Sequence, residues 1–317
     1  PRGSRRDVDR PNVLILTCHD LGDYLGCCGT PVATPHVDAL ARGGVLFRRH
    51  FSTGSVCSPA RGSIVTGCYP HTHGLMGLVH RGWELDVDRC PPLPALLGAA
   101  GYATRLFGFQ HEHWDPTRLG YQHVHRTRGA HCEVVAQALT EWLGSGEARG
   151  PFLVAAGWSE THRIGLPSHF RRDVYTPADP AAVDVRPYLP DIPEMRQELA
   201  EFYGAIQHMD RAVGQVVSAL EAAGLAENTL VVFTADHGAS FMHSKATLYD
   251  GGTKVALAMR WPAGLPRGLE WTGLTSHVDI LPTVLELAGV PVPAHVQGRS
   301  LATDLRAGRT DDGRAHV

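Results

Sequence analysis

No hydrophobic run in the 317-residue sequence approaches the roughly 18 residues that a membrane span requires. The opening PRGSRRDVDR carries arginines without the apolar stretch of a secretory leader. Residues 1–10 therefore read as a disordered or tag-like N-terminus, the chain is expected to be soluble with no membrane partner, and its compartment stays unknown. An excess of one charge is also missing. The sequence has 29 Lys and Arg against 32 Asp and Glu, a formal net of -3, and neither half is strongly basic, which argues against nucleic acid as a partner. The seven cysteines (Cys18, Cys27, Cys28, Cys57, Cys68, Cys90, Cys132) are odd in number and contain no paired CxxC, so neither a disulfide framework nor a cysteine zinc site is indicated. Most read as small buried residues or free thiols. Internal repeats and low-complexity tracts are absent as well.

With 43% hydrophobic residues, a chain of this length can bury a substantial core. Histidine is abundant at 19 residues, with pairs at His71 and His73, His111 and His113, and His123 and His125. Apolar strand-like runs at Asn12–Thr17, Val45–Phe51, Tyr102–Phe107, Phe152–Gly157 and Leu230–Thr234 alternate with helical patterns. That alternation predicts an α/β fold whose mostly parallel central sheet is sandwiched by helices. The clearest helix is predicted over Glu194–Ala223, with apolar residues recurring every three or four positions; others are expected at Thr34–Arg42, Pro92–Ala100, Cys132–Leu143 and Val278–Ala288. Ser159–Pro193, rich in Pro, Asp and Arg, reads as a long surface excursion.

Ligand groups in such sheets gather at the carboxyl ends of strands, and two strand ends here carry polar clusters: Cys18-His19-Asp20 and Ala235-Asp236-His237-Gly238. A third feature is Cys57-Ser58-Pro59-Ala60-Arg61-Gly62-Ser63-Ile64-Val65-Thr66-Gly67. Ser58 suits an N-cap, Pro59 the first helical position and Gly67 the residue past the last turn, which predicts a short helix starting just after Cys57. Cys57 would then stand over unpaired backbone N–H groups, where an anion is favoured, with Arg61 as a forked donor beside it.

CSPAR followed by GSIVTG fits the signature C-x-P-x-R-x-x-x-x-T-G, and on it the chain resembles the sulfatase family of the alkaline-phosphatase-like superfamily. The resemblance extends through Asn12–Gly29, TPHVDALARGGVLF, FTADHG and SHVDILPTVLELAGVPVP, which cover nearly the whole chain. Within the family it is greatest to sulfamidase-like sulfatases (heparan N-sulfatase), through ATPHVDALAR, CSPAR, HGLMGL, ETHR and the spacing from Asp236 to Lys245. It implies an alkaline-phosphatase-like fold over 11–303, then a tail over 304–317 with the family's small C-terminal subdomain largely missing.

The implied activity is hydrolysis of a sulfate ester or sulfamate, on a small sulfated molecule or the end of a sulfated glycan. The implied nucleophile is a formylglycine made from Cys57 by a separate maturation enzyme, its hydrate attacking sulfur. One divalent metal ion is implied, calcium from the family, held by His19, Asp20, Asp236, His237 and Cys57. Arg61 would orient the hydrate, His111 would hydrogen-bond it, His162 would be the general acid, and Lys245 would hold the sulfate.

The sequence departs from the family at three points. His19-Asp20 stands for a usual pair of aspartates and His237 for an asparagine, which leaves magnesium, manganese or zinc open beside calcium. Phe109 stands where the family's G-K-x-H motif has lysine, with His113 or a nearby arginine as replacements. The chain also stops early relative to the family. Two alternative readings follow: a phosphonate or phosphate ester hydrolase of the same superfamily, and a catalytically weak protein that binds sulfated ligands. An oligomer is compatible with all of them.

Overall fold

The computed structural model describes residues 10–164 and 169–317. Apart from Arg10, the tag-like N-terminus expected over 1–10 lies outside the described residues. Eight strands, β1 (Asn12–Cys18), β2 (Val45–Phe51), β3 (Ala103–Gly108), β4 (His123–His125), β5 (Phe152–Gly157), β6 (Thr229–Ala235), β7 (Leu257–Arg260) and β8 (Leu269–Ser276), make one sheet in the order β4-β3-β5-β1-β6-β7-β2-β8. All neighbours run parallel except β7, which is antiparallel to both β6 and β2. This is the mostly parallel, helix-covered sheet that the alternating pattern predicts.

Strands covered on both faces should be apolar throughout, and β1 (NVLILTC) and β6 (TLVVFTA) are buried at every residue. Their side chains split by twos between two cores. Leu14, Leu16, Val231 and Phe233 join the core beneath the 30-residue helix Pro193–Ala222; Val13, Ile15, Leu230 and Val232 join the one beneath helix Ile280–Leu287. The other expected helices form at Pro35–Arg42, Leu93–Ala99 and Cys132–Gly144. The last expected helix begins later than its pattern suggests, because Ser276 and Asp279 close a capping box around a 3-10 turn at His277–Asp279.

Two readings need correction. Strands β4, β7 and β8 are additional to the five runs read from the sequence: β4 has three residues, β7 four, and the alternation of β8 (LEWTGLTS) is interrupted by Gly273. The segment 159–193 is not purely a surface excursion: among its described residues, Glu160, Thr161, Phe170, Tyr175, Val183 and Leu189 are buried. Beyond residue 303 the chain packs back on the sheet. Leu305 is buried, Thr272 N donates to Thr310 O (2.7 Å), and Arg314 pairs with Asp279 (3.0 Å). No helix among the described residues is long and apolar enough to cross a membrane.

Three buried histidines make acid stability predictable. His50 meets Thr275 Oγ1 (3.0 Å), His73 meets Ser63 Oγ (3.2 Å), and His277 Nε2 donates to Ala235 O (3.1 Å). Burial drives His50 well below the ordinary imidazole range, and lowers His73 and His277 to about 4. Above pH 6.5 the imidazole is neutral in both folded and unfolded chains, so nothing is lost there. As pH falls from 6.5 towards 4, the unfolded chain takes up protons that the folded one refuses, and stability drops. For His73 and His277 a depression of this size corresponds to about 3 kcal/mol each at the lower limit. Urea unfolding at pH 7 and pH 5 should therefore show a large fall in midpoint at the lower pH; a flat profile would contradict the assignment.

Candidate active site

Topology brings the chemistry together. Strands β3, β5, β1 and β6 are consecutive neighbours running parallel, so the residues after their carboxyl ends (Phe109–Glu112, Ser159–His162, His19–Asp20 and Asp236–His237) emerge at one edge. Cys18 lies opposite Ala235 in the β1–β6 register. Asp236 N then donates to Cys18 O (3.1 Å), and Asp20 N to Asp236 Oδ1 (3.0 Å). Asp20 has φ 54, a left-handed conformation that Asp tolerates better than most residues, and it turns its carboxylate into the cluster. Close packing behind it requires glycine at Gly238, where a Cβ would come within 1.8 Å of Gly251 O.

The fifth contributor arrives from β2. Ser52, just past that strand, donates through Oγ to Asp236 O (2.8 Å), and the chain enters helix Cys57–Thr66 five residues later. Cys57 is the first helical residue rather than the one before it: Val56 is the N-cap, and no side chain caps the helix. Ser58, expected as that cap, accepts instead from Val79 N (3.2 Å). Gly67 ends the helix with φ 66, as its position suggests. Burial, reinforced by Asp236 and partly offset by Lys245, pushes the Cys57 thiol up to about 12.

The charges form a compact set. Arg61 Nε donates to Asp236 Oδ2 (2.9 Å), and Lys245 Nζ donates to both oxygens of Asp20 (2.9 and 2.7 Å). His19 Nδ1 lies 2.6 Å from Asp20 Oδ1 and 3.5 Å from Asp236 Oδ2. Burial alone would raise both carboxyls. The neighbouring His19 and His237, with Lys245 at Asp20 and Arg61 at Asp236, outweigh it and hold both well below the usual carboxylate range. Both aspartates are therefore ionised although neither is exposed.

His237 shows what the cluster can hold. Its Nδ1 donates to Gly238 O (2.9 Å), and a carbonyl can only accept, which leaves Nε2 as the nitrogen able to ligate a cation. That nitrogen faces Asp20 Oδ1 (3.2 Å), Asp236 Oδ1 (3.6 Å) and Cys57 Sγ (3.3 Å). Two carboxylates, a thiol and an imidazole nitrogen converging in a buried site fit a shared cation. One ligand atom each from His19, Cys57, Asp236 and His237 lies within 4.8 Å of the others, and His19, Asp20 and His162 form an overlapping group. All five residues expected as metal ligands thus meet in one place.

The remaining expected residues surround that centre. Lys245 is bound to Asp20. His162 sits at the rim, 40% exposed, with Nε2 3.9 Å from Asp20 Oδ2 and its ring edge-on to His19. Its Nδ1 donates to Arg163 O. His111 is half-buried and meets His80 rather than Cys57 (Nε2 to Nδ1, 3.1 Å). Phe109, at the position of the absent lysine, packs its ring against Arg61 (4.9 Å) and His19 (5.3 Å). His113 does not replace that lysine, because its Nδ1 is engaged with the Asp115 backbone (2.9 Å to O, 3.0 Å to N).

Some participants are not singled out by sequence reasoning. Glu160 O accepts from His19 N (2.8 Å), Thr161 N donates to His19 O (2.6 Å), and Thr161 Oγ1 reaches Asp20 O (3.1 Å). The Glu160 carboxylate is itself held by Cys132 N (2.7 Å), Tyr175 Oη (2.6 Å) and His131 (3.0 Å), which fixes the strand-end turn. The ETHR motif was the available signal, with His162 its most reactive member. Buried Glu112, raised by burial against the pull of Arg61, had no local signal at all.

Known proteins share both the sequence pattern and the fold of this chain. The sulfatase family model matches residues 11–290, and the chain belongs to the sulfatase family. It is 32% identical to human (Homo sapiens) N-sulphoglucosamine sulphohydrolase over 93% of this chain and 66% of that protein. It is 26% identical to an ulvan-active sulfatase of Formosa agariphila over 92% of this chain and 54% of the relative. The chain thus spans about half to two thirds of the length of these relatives. Among solved structures, the phosphonate monoester hydrolase of Agrobacterium radiobacter superposes with a TM-score of 0.80 over 96% of this chain and 79% of that one, at 23% identity. Sulfatases are in general metal-dependent, in keeping with the grouped donors at this edge.

Proposed function

We propose that residues 11–303 form the catalytic domain of a sulfatase that hydrolyses a sulfate ester or sulfamate, with a formylglycine made from Cys57 as nucleophile. The observation carrying this reading is the approach of Cys57, His19, Asp236 and His237 to within 4.8 Å, at the start of an uncapped helix. As a thiol, Cys57 is poorly suited to attack, because burial keeps it protonated at neutral pH. Conversion to an aldehyde by a maturation enzyme removes that obstacle. When present, the aldehyde hydrate supplies the attacking hydroxyl, and a divalent cation supplies positive charge for it and for the sulfate oxygens.

His19, Asp20, Asp236, His237 and residue 57 would hold the cation. Two imidazoles beside two carboxylates suit magnesium, manganese or zinc as well as calcium, the metal suggested by family resemblance. The chain's own side chains do the rest. Arg61 keeps Asp236 ionised and adds charge beside the nucleophile; Lys245 does the same at Asp20 and offers its ammonium to a sulfate oxygen. His162, whose Nδ1 is engaged by Arg163 O, leaves Nε2 as the nitrogen through which a proton would pass to the leaving oxygen or nitrogen. Relatives that act on an N-sulphated sugar and on ulvan favour a sulfated glycan end, or a small sulfated molecule, as substrate.

The test is activity of aldehyde-bearing protein, made with the maturation enzyme, after chelation and reloading with each metal in turn. Aryl sulfate, glucosamine N-sulfate and an aryl phosphonate ester serve as substrates. Metal-dependent turnover of a sulfated substrate, exceeding that of the phosphonate, is expected. Faster phosphonate cleavage would assign the chain to the phosphonate hydrolases, and sulfated-ligand binding without turnover would make it a binding protein.

A further inference from the structure

Arg61 has more donors than the site so far described uses. Its Nε donates to Asp236 Oδ2 (2.9 Å), its side chain is 2% exposed, and its Nη2 has no partner among the described residues. A buried N–H needs an acceptor, and where no protein atom supplies one, an internal water does. The outer end of the guanidinium lies beneath the carboxyl end of β5, since a Cβ at Gly157 would come within 3.4 Å of Arg61 Nη1.

A cavity of about 30 Å³ lies at that end, and its polar lining is Thr17, Arg61, Gln110, Glu112 and Tyr121. Roughly 10–15 Å³ of such space accommodates one water, and polar walls hold water where apolar ones stay dry. Glu112 brings a carboxyl with accepting capacity to spare. It is 7% exposed, and its Oε2 accepts from His111 N (2.6 Å). Its own backbone N donates to Gln110 Oε1 (2.9 Å), which also accepts from His113 N (3.0 Å), so the turn after β3 fixes where that carboxyl stands. Gln110 is spent on this turn, its Nε2 donating to His113 O (2.5 Å). Against the cost of burial, the charges of Asp236 and then Glu112 keep the guanidinium protonated.

We propose that Glu112 is a positioning residue for the reaction, its carboxyl gripping Arg61 Nη2 through water held in this cavity. This rests on the sulfatase reading for what Arg61 acts upon. A planar guanidinium pinned at Nε alone can pivot about that one bond; pinned at Nε and Nη2, it keeps its plane. The second grip matters most when Asp236 also faces a cation and its Oδ2 is shared. Phe109 covers Arg61 with its ring (4.9 Å) but offers no side-chain acceptor, so the grip falls to Glu112.

The decisive comparison is Glu112→Leu against Glu112→Gln in the metal-loaded, aldehyde-bearing chain. Leu keeps much of the volume and removes the acceptor, whereas Gln removes the charge but can still accept from His111 N and from water. Glu112→Leu should lose about 10-fold or more in kcat with little change in KM, as expected for a misplaced catalytic group, and Glu112→Gln should recover most of that loss. Two readouts need no turnover. A high-resolution crystal structure of the unsubstituted chain should show water within hydrogen-bond distance of both Arg61 Nη2 and the Glu112 carboxyl, and it decides the matter even if Glu112→Leu does not fold. Nitrogen-15 spectra of the arginine side chains should show hindered rotation at Arg61 that becomes faster in Glu112→Leu. Full kcat in a folded Glu112→Leu, equal losses in both variants, or no water joining the two side chains would overturn the role. A bridging water in a chain that turns over no sulfated substrate would keep the bridge and remove the sulfatase reading instead.

Discussion

Cys57→Ala should reduce turnover of a sulfated substrate by on the order of 10⁴-fold or more, the scale of losing a covalent nucleophile. The fold should survive, because the change removes one sulfur from a side chain whose polar neighbour among the described residues is His237 Nε2 at 3.3 Å. Helix Cys57–Thr66 is held elsewhere: by Arg61 on Asp236, by Ser58 on Val79 N, and by Ile64 in the core beneath helix Ile280–Leu287. Steady-state rates measured beside a thermal melt separate the two effects. Retained turnover would contradict the nucleophile assignment, and a lost melt would show that the thiol matters to folding rather than chemistry.

Asp236→Asn carries the second large effect, and it acts on both stability and metal affinity. An asparagine can still accept from Asp20 N and His237 N, the two donors that Oδ1 serves. What disappears is the negative charge facing Arg61, whose side chain is 2% exposed and whose Nη2 already has no partner among the described residues. Leaving such a charge uncompensated costs about 3–5 kcal/mol. Loss of an anionic donor should weaken divalent-metal binding by roughly 100-fold or more, beyond what removal of a supporting group produces. Urea unfolding gives the first quantity and calorimetric metal titration the second. Unchanged metal affinity would remove Asp236 from the ligand set.

Much of this architecture is legible in the sequence because its signals are local. The apolar runs of β1, β5 and β6 and the three- and four-residue spacing of the helix Pro193–Ala222 need no tertiary information. The strand-end clusters His19-Asp20 and Asp236-His237 are legible for the same reason, and parallel pairing of β1 with β6 turns two distant motifs into one site. The illegible parts depend on contacts made across the chain. Strand β8 carries Gly273 in its middle and is completed by pairing with β2, and Phe170 and Tyr175 are buried by a helix that begins about twenty residues later. Lys245 could be matched by position, but its bond to Asp20 depends on a turn in which His243 and Ala246 adopt positive φ. The partnership of His80 with His111 likewise joins two loops with no shared motif.

The whole account turns on one buried centre shared by two strand-end carboxylates and residue 57, and anomalous scattering from a crystal of the metal-loaded, aldehyde-bearing chain tests it most directly. A single strong peak bonded to Asp20, Asp236 and the residue-57 side chain is the predicted result. A metal bound elsewhere, or none at that centre under saturating metal, would contradict it.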